Sequence, residues 1–162
     1  MKEVNTMPQN PGKDACDLLD ADHVAVKHLF VEYARLAMSG AEGADGRQAL
    51  ARRICDELTV HAQIEEEIFY PALRQAAPAG LLEEAKAEHQ EAKELIAQIE
   101  QLPAAGPEMD ALVTKLAQAI EHHVKEERDG LFTKARSAPQ LDLVALGEQL
   151  KERQQELQGQ AA

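Results

Sequence analysis

Four long stretches of this chain carry an apolar residue at every third or fourth position, and glycine- and proline-rich segments separate them. The stretches run over about 14–38, 47–76, 81–101 and 108–136, and a shorter fifth, 140–157, has the same pattern. The first stripe is Leu19, His23, Val26, Phe30, Tyr33 and Ala37. The second is Leu50, Ile54, Leu58, His61, Glu65, Ile68 and Ala72. The third is Leu82, Ala85, His89, Ala92, Ile96 and Ile99, and the fourth Leu112, Leu116, Ile120, His123, Glu127 and Leu131. Steps of three and four put each set on one face of a helix. Only 3% of the residues are aromatic and none is tryptophan, which leaves little material for a sheet. The pattern predicts an all-α fold, an antiparallel four-helix bundle with a short C-terminal fifth helix. Residues 1–13 read as a flexible N-terminal tail, 14–138 as the bundle and 139–162 as the C-terminal helix and tail. Pro71 is expected to kink or shorten the second helix.

Every stripe is interrupted by a histidine at a core position, and two of them add a glutamate four residues later. A single buried histidine is ordinarily satisfied by a neighbour. Four of them, with two carboxylates and no Lys or Arg on the same faces, are costly to bury unless a cation sits among them. Imidazole nitrogen and carboxylate oxygen suit iron, zinc or manganese. Counting from the loops at one end, the four histidines lie roughly 18–23 Å down their helices and so share a layer. The same count sets Cys16 below the layer and Cys55 above it, roughly 20 Å apart along the axis. They are read as ordinary reduced thiols rather than a disulfide.

The chain also repeats itself. "DHVAVKHLF" (22–30) aligns with "EHQEAKELI" (88–96), and "HAQIEEEIFYP" (61–71) with "HVKEERDGLFT" (123–133). Two helical hairpins thus each supply a His followed by His-x-x-x-Glu. The repeat chooses between the adjacent pairs in "IEHHVKEERDGLF": His123 aligns with His61, so His123 and Glu127 face inward, and His122 and Glu126 lie at the edge of the site. By the same reasoning His28 is expected in solvent, Glu66 and Glu67 on an exposed acidic surface, and Phe30 and Tyr33 in packing roles; Tyr70, near the lower edge of the site, is expected to pack, the alternative being a contact that supports the ligands.

These motifs, in this order and spacing, resemble the hemerythrin-like family, in particular its HHE cation-binding branch, over about residues 14–136. The resemblance implies a non-haem diiron centre in an up-down-up-down bundle. His23, His61, His89 and His123 would be terminal ligands, and Glu65 and Glu127 would bridge two iron ions beside an oxo or hydroxo group. Ferritin-like diiron proteins use Glu-x-x-His instead. Oxygen-carrying hemerythrins have five histidines, and here Glu127 stands where their His-x-x-x-His pair has its second histidine. Fewer imidazoles leave more open positions on iron, which favours reaction with peroxide or nitric oxide, or iron sensing, over stable oxygen carriage.

The formal charge of −12 argues against nucleic acid or an anionic membrane as partner. No apolar run approaches the roughly eighteen residues of a membrane span, and residues 1–14 lack the apolar stretch of a secretory signal, so a cytoplasmic protein is expected. The residues admit three readings. The first is a diiron protein that binds or reacts with O2, peroxide or NO. The second is an iron or zinc sensor or buffer with metal-dependent stability. The third is a helical bundle without metal.

Overall fold

Asp14 starts the bundle with a reciprocal cap. Its carboxylate accepts from the Asp17 N–H at 2.9 Å, and the Asp17 carboxylate accepts from the Asp14 N–H at 3.0 Å. In the computed structural model, which describes residues 13–161, this cap opens α1, Ala15–Ala37. Gly40, at φ +64°, turns the chain in the left-handed region that glycine enters without steric cost. A single 3₁₀ turn, Gly40–Gly43, leads into α2, residues 44–72. α3 is Ala79–Glu100, α4 spans 107–136 and α5 is Leu143–Ala161. Among the described residues there is no strand, and none of the helices is long and apolar enough to cross a membrane. The expected flexible tail falls outside the described residues except at Lys13.

Neither α2 nor α4 is α-helical throughout. Each contains one wider π turn, Glu65–Phe69 in α2 and Glu127–Leu131 in α4. The π turns begin at equivalent positions of the repeat, where the Tyr70 N–H donates to the Glu65 carbonyl and the Phe132 N–H to the Glu127 carbonyl. The extra residue rotates the rest of the helix about its axis. Phe69, and Leu73 just past the end of α2, are fully buried, whereas Ile68 and Ala72, the residues expected inward, are only half-buried. α2 also ends at Ala72, short of the expected 76.

The four histidines and two glutamates split the core into two apolar clusters. Above lie Val26, Ile54, Cys55, Leu58, Ile96 and Leu116 with their neighbours, and below lie Cys16, Leu19, Ile64, Phe69, Leu131 and Phe132. Cys16 and Cys55 are both free and buried, on opposite sides of the layer as the residue count places them. α5 settles onto its own bundle against α1 and α2, adding Leu146, Leu150 and Leu157 to the lower cluster. Gly147 permits the close crossing: a Cβ there would lie 3.0 Å from the backbone of Asp14 and Ala15. At the top, buried Arg47 donates to both Asp110 oxygens, at 2.7 and 2.6 Å, and to the Gly40 carbonyl at 2.9 Å. Tyr33 donates to Asp110 at 2.7 Å, so its hydroxyl has a tying role beyond the packing expected of it.

Candidate metal centre

The stripes bring all six expected residues together. His23, His61, His89 and His123 are between 5% and 7% exposed, and Glu65 and Glu127 are essentially inaccessible. The six form two groups that share a carboxylate. One is His23, His61, Glu65 and Glu127 and the other Glu65, His89 and His123, with ligand atoms in each group within 4.8 Å of one another. The ring pairs are near copies, His23 with His61 at 4.8 Å and 63°, and His89 with His123 at 4.8 Å and 60°.

Each glutamate spans the two pairs, one oxygen to each. Glu65 places Oε2 3.3 Å from His61 Nε2 and Oε1 3.0 Å from His89 Nε2. Glu127 places Oε1 3.1 Å from His23 Nε2 and Oε2 3.7 Å from His123 Nε2.

A second set of carboxylates fixes the rings from behind. His23 Nδ1 faces Asp20 at 3.2 Å, His61 Nδ1 faces Asp22 at 3.1 Å, and His89 Nδ1 and His123 Nδ1 face Glu66 and Glu88, each at 2.7 Å. An ionised carboxylate only accepts, so Nδ1 carries the proton and donates, and Nε2 turns its lone pair inward. Asp22 and Glu88 occupy the same position in the repeat and serve the same purpose. Glu66 is a correction to the sequence reading: it is half-buried, bonded to His89 on one oxygen and to Lys93 on the other at 3.2 Å. Its counterpart in the repeat is Arg128, which donates to Asp20 at 2.6 Å and so holds His23 indirectly. Glu67 and His28 are exposed, as expected.

Tyr70 is the larger correction. Rather than merely packing, its hydroxyl donates to Glu127 Oε2 at 2.7 Å and Glu65 Oε1 at 3.1 Å, and lies 3.3 Å from His89 Nε2. Its ring stacks on His89 as Phe132 stacks on His23. The repeat aligns these two aromatics, but at five residues past its glutamate each lies off an α-helical stripe. The π turn brings it back.

The residues fit a metal ion. Glu65 Oε2, Glu127 Oε1 and His123 Nε2 are fully buried with no hydrogen-bond partner in good geometry. His23 Nε2 and His61 Nε2 face each other at 3.1 Å, an arrangement that two lone pairs accept only with a proton or another cation between them. Without metal, protons take that place. Burial disfavours the His61 cation, but Glu65 and Asp22 outweigh it and hold the ring well above the ordinary histidine range. Burial likewise opposes charge on His123, and Glu65, Glu127 and Glu88 lift it to about 9. Burial and the nearby Glu65 charge push the Glu127 carboxyl up. Burial and both carboxylates push the Tyr70 phenol well above its usual value, so it stays a donor.

The family model of the hemerythrin HHE cation binding domain matches residues 14–135. The chain belongs to this family. A crystal structure of a hemerythrin HHE cation binding domain-containing protein from Mycobacterium kansasii superposes with a TM-score of 0.76 at 25% identity, covering 91% of this chain and 89% of that one. A curated relative, a DNA nickase from Nostoc sp., is 31% identical over 121 residues. That match takes in 75% of this chain but 33% of the relative, so the chain spans about a third of the nickase's length. The hemerythrin-like assignment accounts for the all-helical architecture and for the His/Glu clusters of a cation-binding domain.

Proposed function

We propose that this hemerythrin-like protein holds a non-haem diiron centre that binds or reacts with O2, peroxide or NO. The observation that carries the reading is the way Glu65 and Glu127 each direct one oxygen to the His23–His61 pair and the other to the His89–His123 pair. Ions held by the two pairs together with the two carboxylates would satisfy every orphaned buried atom of the layer at once. His23 and His61 would hold the first ion and His89 and His123 the second, with Glu65 and Glu127 across both. Two bound irons would supply redox chemistry and open positions for a small ligand.

The chain's own residues suit such a ligand. A cavity of about 30 Å³ adjoins all four histidines, walled mainly by Leu58, Ala62, Ala92, Ile96, Ile120 and Val124. It has room for a diatomic or a peroxide, and its mainly apolar walls favour an uncharged guest over bulk water. Tyr70, on the opposite side, holds a proton between the two carboxylates and makes the two metal positions chemically unequal. The DNA chemistry named for the Nostoc relative belongs to a protein of which this chain matches only 33%, and a charge of −12 opposes contact with a polyphosphate backbone. This reading therefore includes no DNA substrate.

Metal analysis of the purified chain, paired with an optical spectrum, tests the proposal. One iron per histidine pair, with charge-transfer bands that change on adding peroxide or NO, is the expected result. A single zinc and a featureless spectrum would move the protein to metal sensing or buffering. His61→Ala or Glu65→Ala should lower metal content sharply, while His28→Ala should leave it unchanged.

A further inference from the structure

The two hairpins are copies that the rest of the molecule does not treat alike. In the repeat Asp22 corresponds to Glu88, Val60 to His122, Ile64 to Glu126 and, one turn earlier, Leu18 to Glu84. On the first hairpin this seam is apolar and sealed. Ile64 is buried in the lower cluster with Leu146, Leu150 and Leu157 of α5, Leu18 and Val60 pack against that cluster, and Gln154 of α5 donates to Asp22 at 2.9 Å. On the second hairpin, α5 is absent from the seam because it packs on α1 and α2. The apolar residues are replaced there by a histidine and carboxylates.

Those groups are arranged as ligands. Glu88, His122 and Glu126 bring three donor atoms within 4.8 Å of one another. His122 Nε2 is 3.1 Å from Glu126 Oε2 and 3.4 Å from Glu88 Oε2, and the imidazole is 62% exposed. Among the described residues no Lys or Arg pairs with Glu84, Glu88 or Glu126.

A second observation links the cluster to the interior. A pocket of about 20 Å³ opens beside it, between Leu81, Glu84, Glu88 and Glu126, and its inner lining includes His123 and Glu127. These two residues are 5% and 1% exposed; His123 Nε2 is one of the three unpartnered buried atoms of the centre, and Glu127 Oε1, another, faces His23. Glu88 belongs to both places: one oxygen accepts from His123 Nδ1 and the other faces His122.

We propose that Glu88, His122 and Glu126 form an external capture site for divalent cations, which then enter the buried centre through the second hairpin. The inference rests on the reading of that centre as a metal site. One imidazole and two carboxylates suit Fe²⁺, Zn²⁺ or Mn²⁺, and exposure leaves water to complete the shell. Binding there is weak and exchangeable, as handing an ion onward requires. The unbalanced carboxylates also draw cations to this mouth and not to the sealed one.

The test uses the full chain, stripped of metal, with Co²⁺ uptake followed by visible absorbance. The His122→Ala/Glu126→Gln variant is expected to reach the wild-type final spectrum about tenfold more slowly at low salt. Glu91→Gln removes one exposed charge from α3 outside the cluster and should load at the wild-type rate. In the Zn²⁺-filled chain, added Mn²⁺ should broaden the NMR signals of residues 122 and 126 in the wild type, and signals around 88 should retain their width in the double variant. Loading of the double variant at the wild-type rate, or no Mn²⁺ broadening in the wild type, overturns the capture site and leaves the buried centre standing. A wild-type chain that takes no Co²⁺ into the centre overturns the reading beneath it.

Discussion

Tyr70 and Phe132 hold the same position in the repeat and differ by one oxygen atom. That oxygen is shared between two buried carboxylates, so its removal leaves Glu127 Oε2 without a strong donor. Losing a hydrogen bond to a buried charged group costs about 1–3 kcal/mol. Tyr70→Phe is therefore expected to lower the stability of the metal-free protein by about 2 kcal/mol in chemical denaturation. If the centre is the proposed diiron site, the same change should leave metal content intact and alter the optical spectrum and the rate of reaction with peroxide. The thiols behave in the opposite way, as inert groups. Burial pushes both Cys16 and Cys55 from 9 up to about 12. A raised thiol pKa means less thiolate, and near pH 8 only about one molecule in 10⁴ carries it at either site. Iodoacetamide should leave the native protein unmodified over hours and label both cysteines once it is unfolded. Rapid labelling of either in the native state would contradict the packing around it.

At the scale of the helices, the π turns decide what a sequence reading can and cannot recover. Up to Glu65 and Glu127 the 3.6-residue period holds, and every residue it places inward up to the glutamates is buried or half-buried, with all four histidines in one layer. Beyond the glutamates a turn holds one extra residue, and no apolar period announces it in advance. That is why Phe69 and Leu73 replace Ile68 and Ala72 in the core, and why the stripe gives Tyr70 no more than a packing role. Glu66 is missed for a different reason. It lies off the stripe of its own helix and acts on His89 of the next, a contact between helices that periodicity within one helix does not encode. The signal for Tyr70 is present in the repeat, as an aromatic at the same offset in both copies. The cause of the π turn can also be narrowed. Pro71 lies just past it in α2, but α4 has Thr133 at the equivalent position and still forms the turn. The shared features are the buried glutamate whose carbonyl closes each π turn and the aromatic residue whose N–H donates to it. Pro71→Ala is accordingly expected to preserve metal content and spectrum, with a change in stability within about 1 kcal/mol. A loss of metal would make the proline a determinant of the site.

The whole molecule places a polar, charge-dense layer between two apolar clusters, so its stability is divided. The clusters above and below, with the Arg47–Asp110–Tyr33 tie at the top and α5 at the bottom, have no need of metal. The middle layer does, because it leaves three buried atoms unpartnered and holds two carboxylates together in a space from which water is nearly excluded. Chelation should therefore leave a helical protein with a lower melting temperature, not an unfolded one. An ion held at a thousandfold excess over its Kd adds about 4 kcal/mol per site, and loss of that term is the expected order of the change. The softening should also be local. Hydrogen exchange should accelerate most around 61–70 and 123–132, where the π turns carry the glutamates, and least around 47–55, which is anchored in the upper cluster. Uniform acceleration along all helices would mean that the layer and the clusters unfold as one unit. An unchanged melting temperature after complete metal removal would mean that protons alone satisfy the centre, and it would count against the metal reading itself.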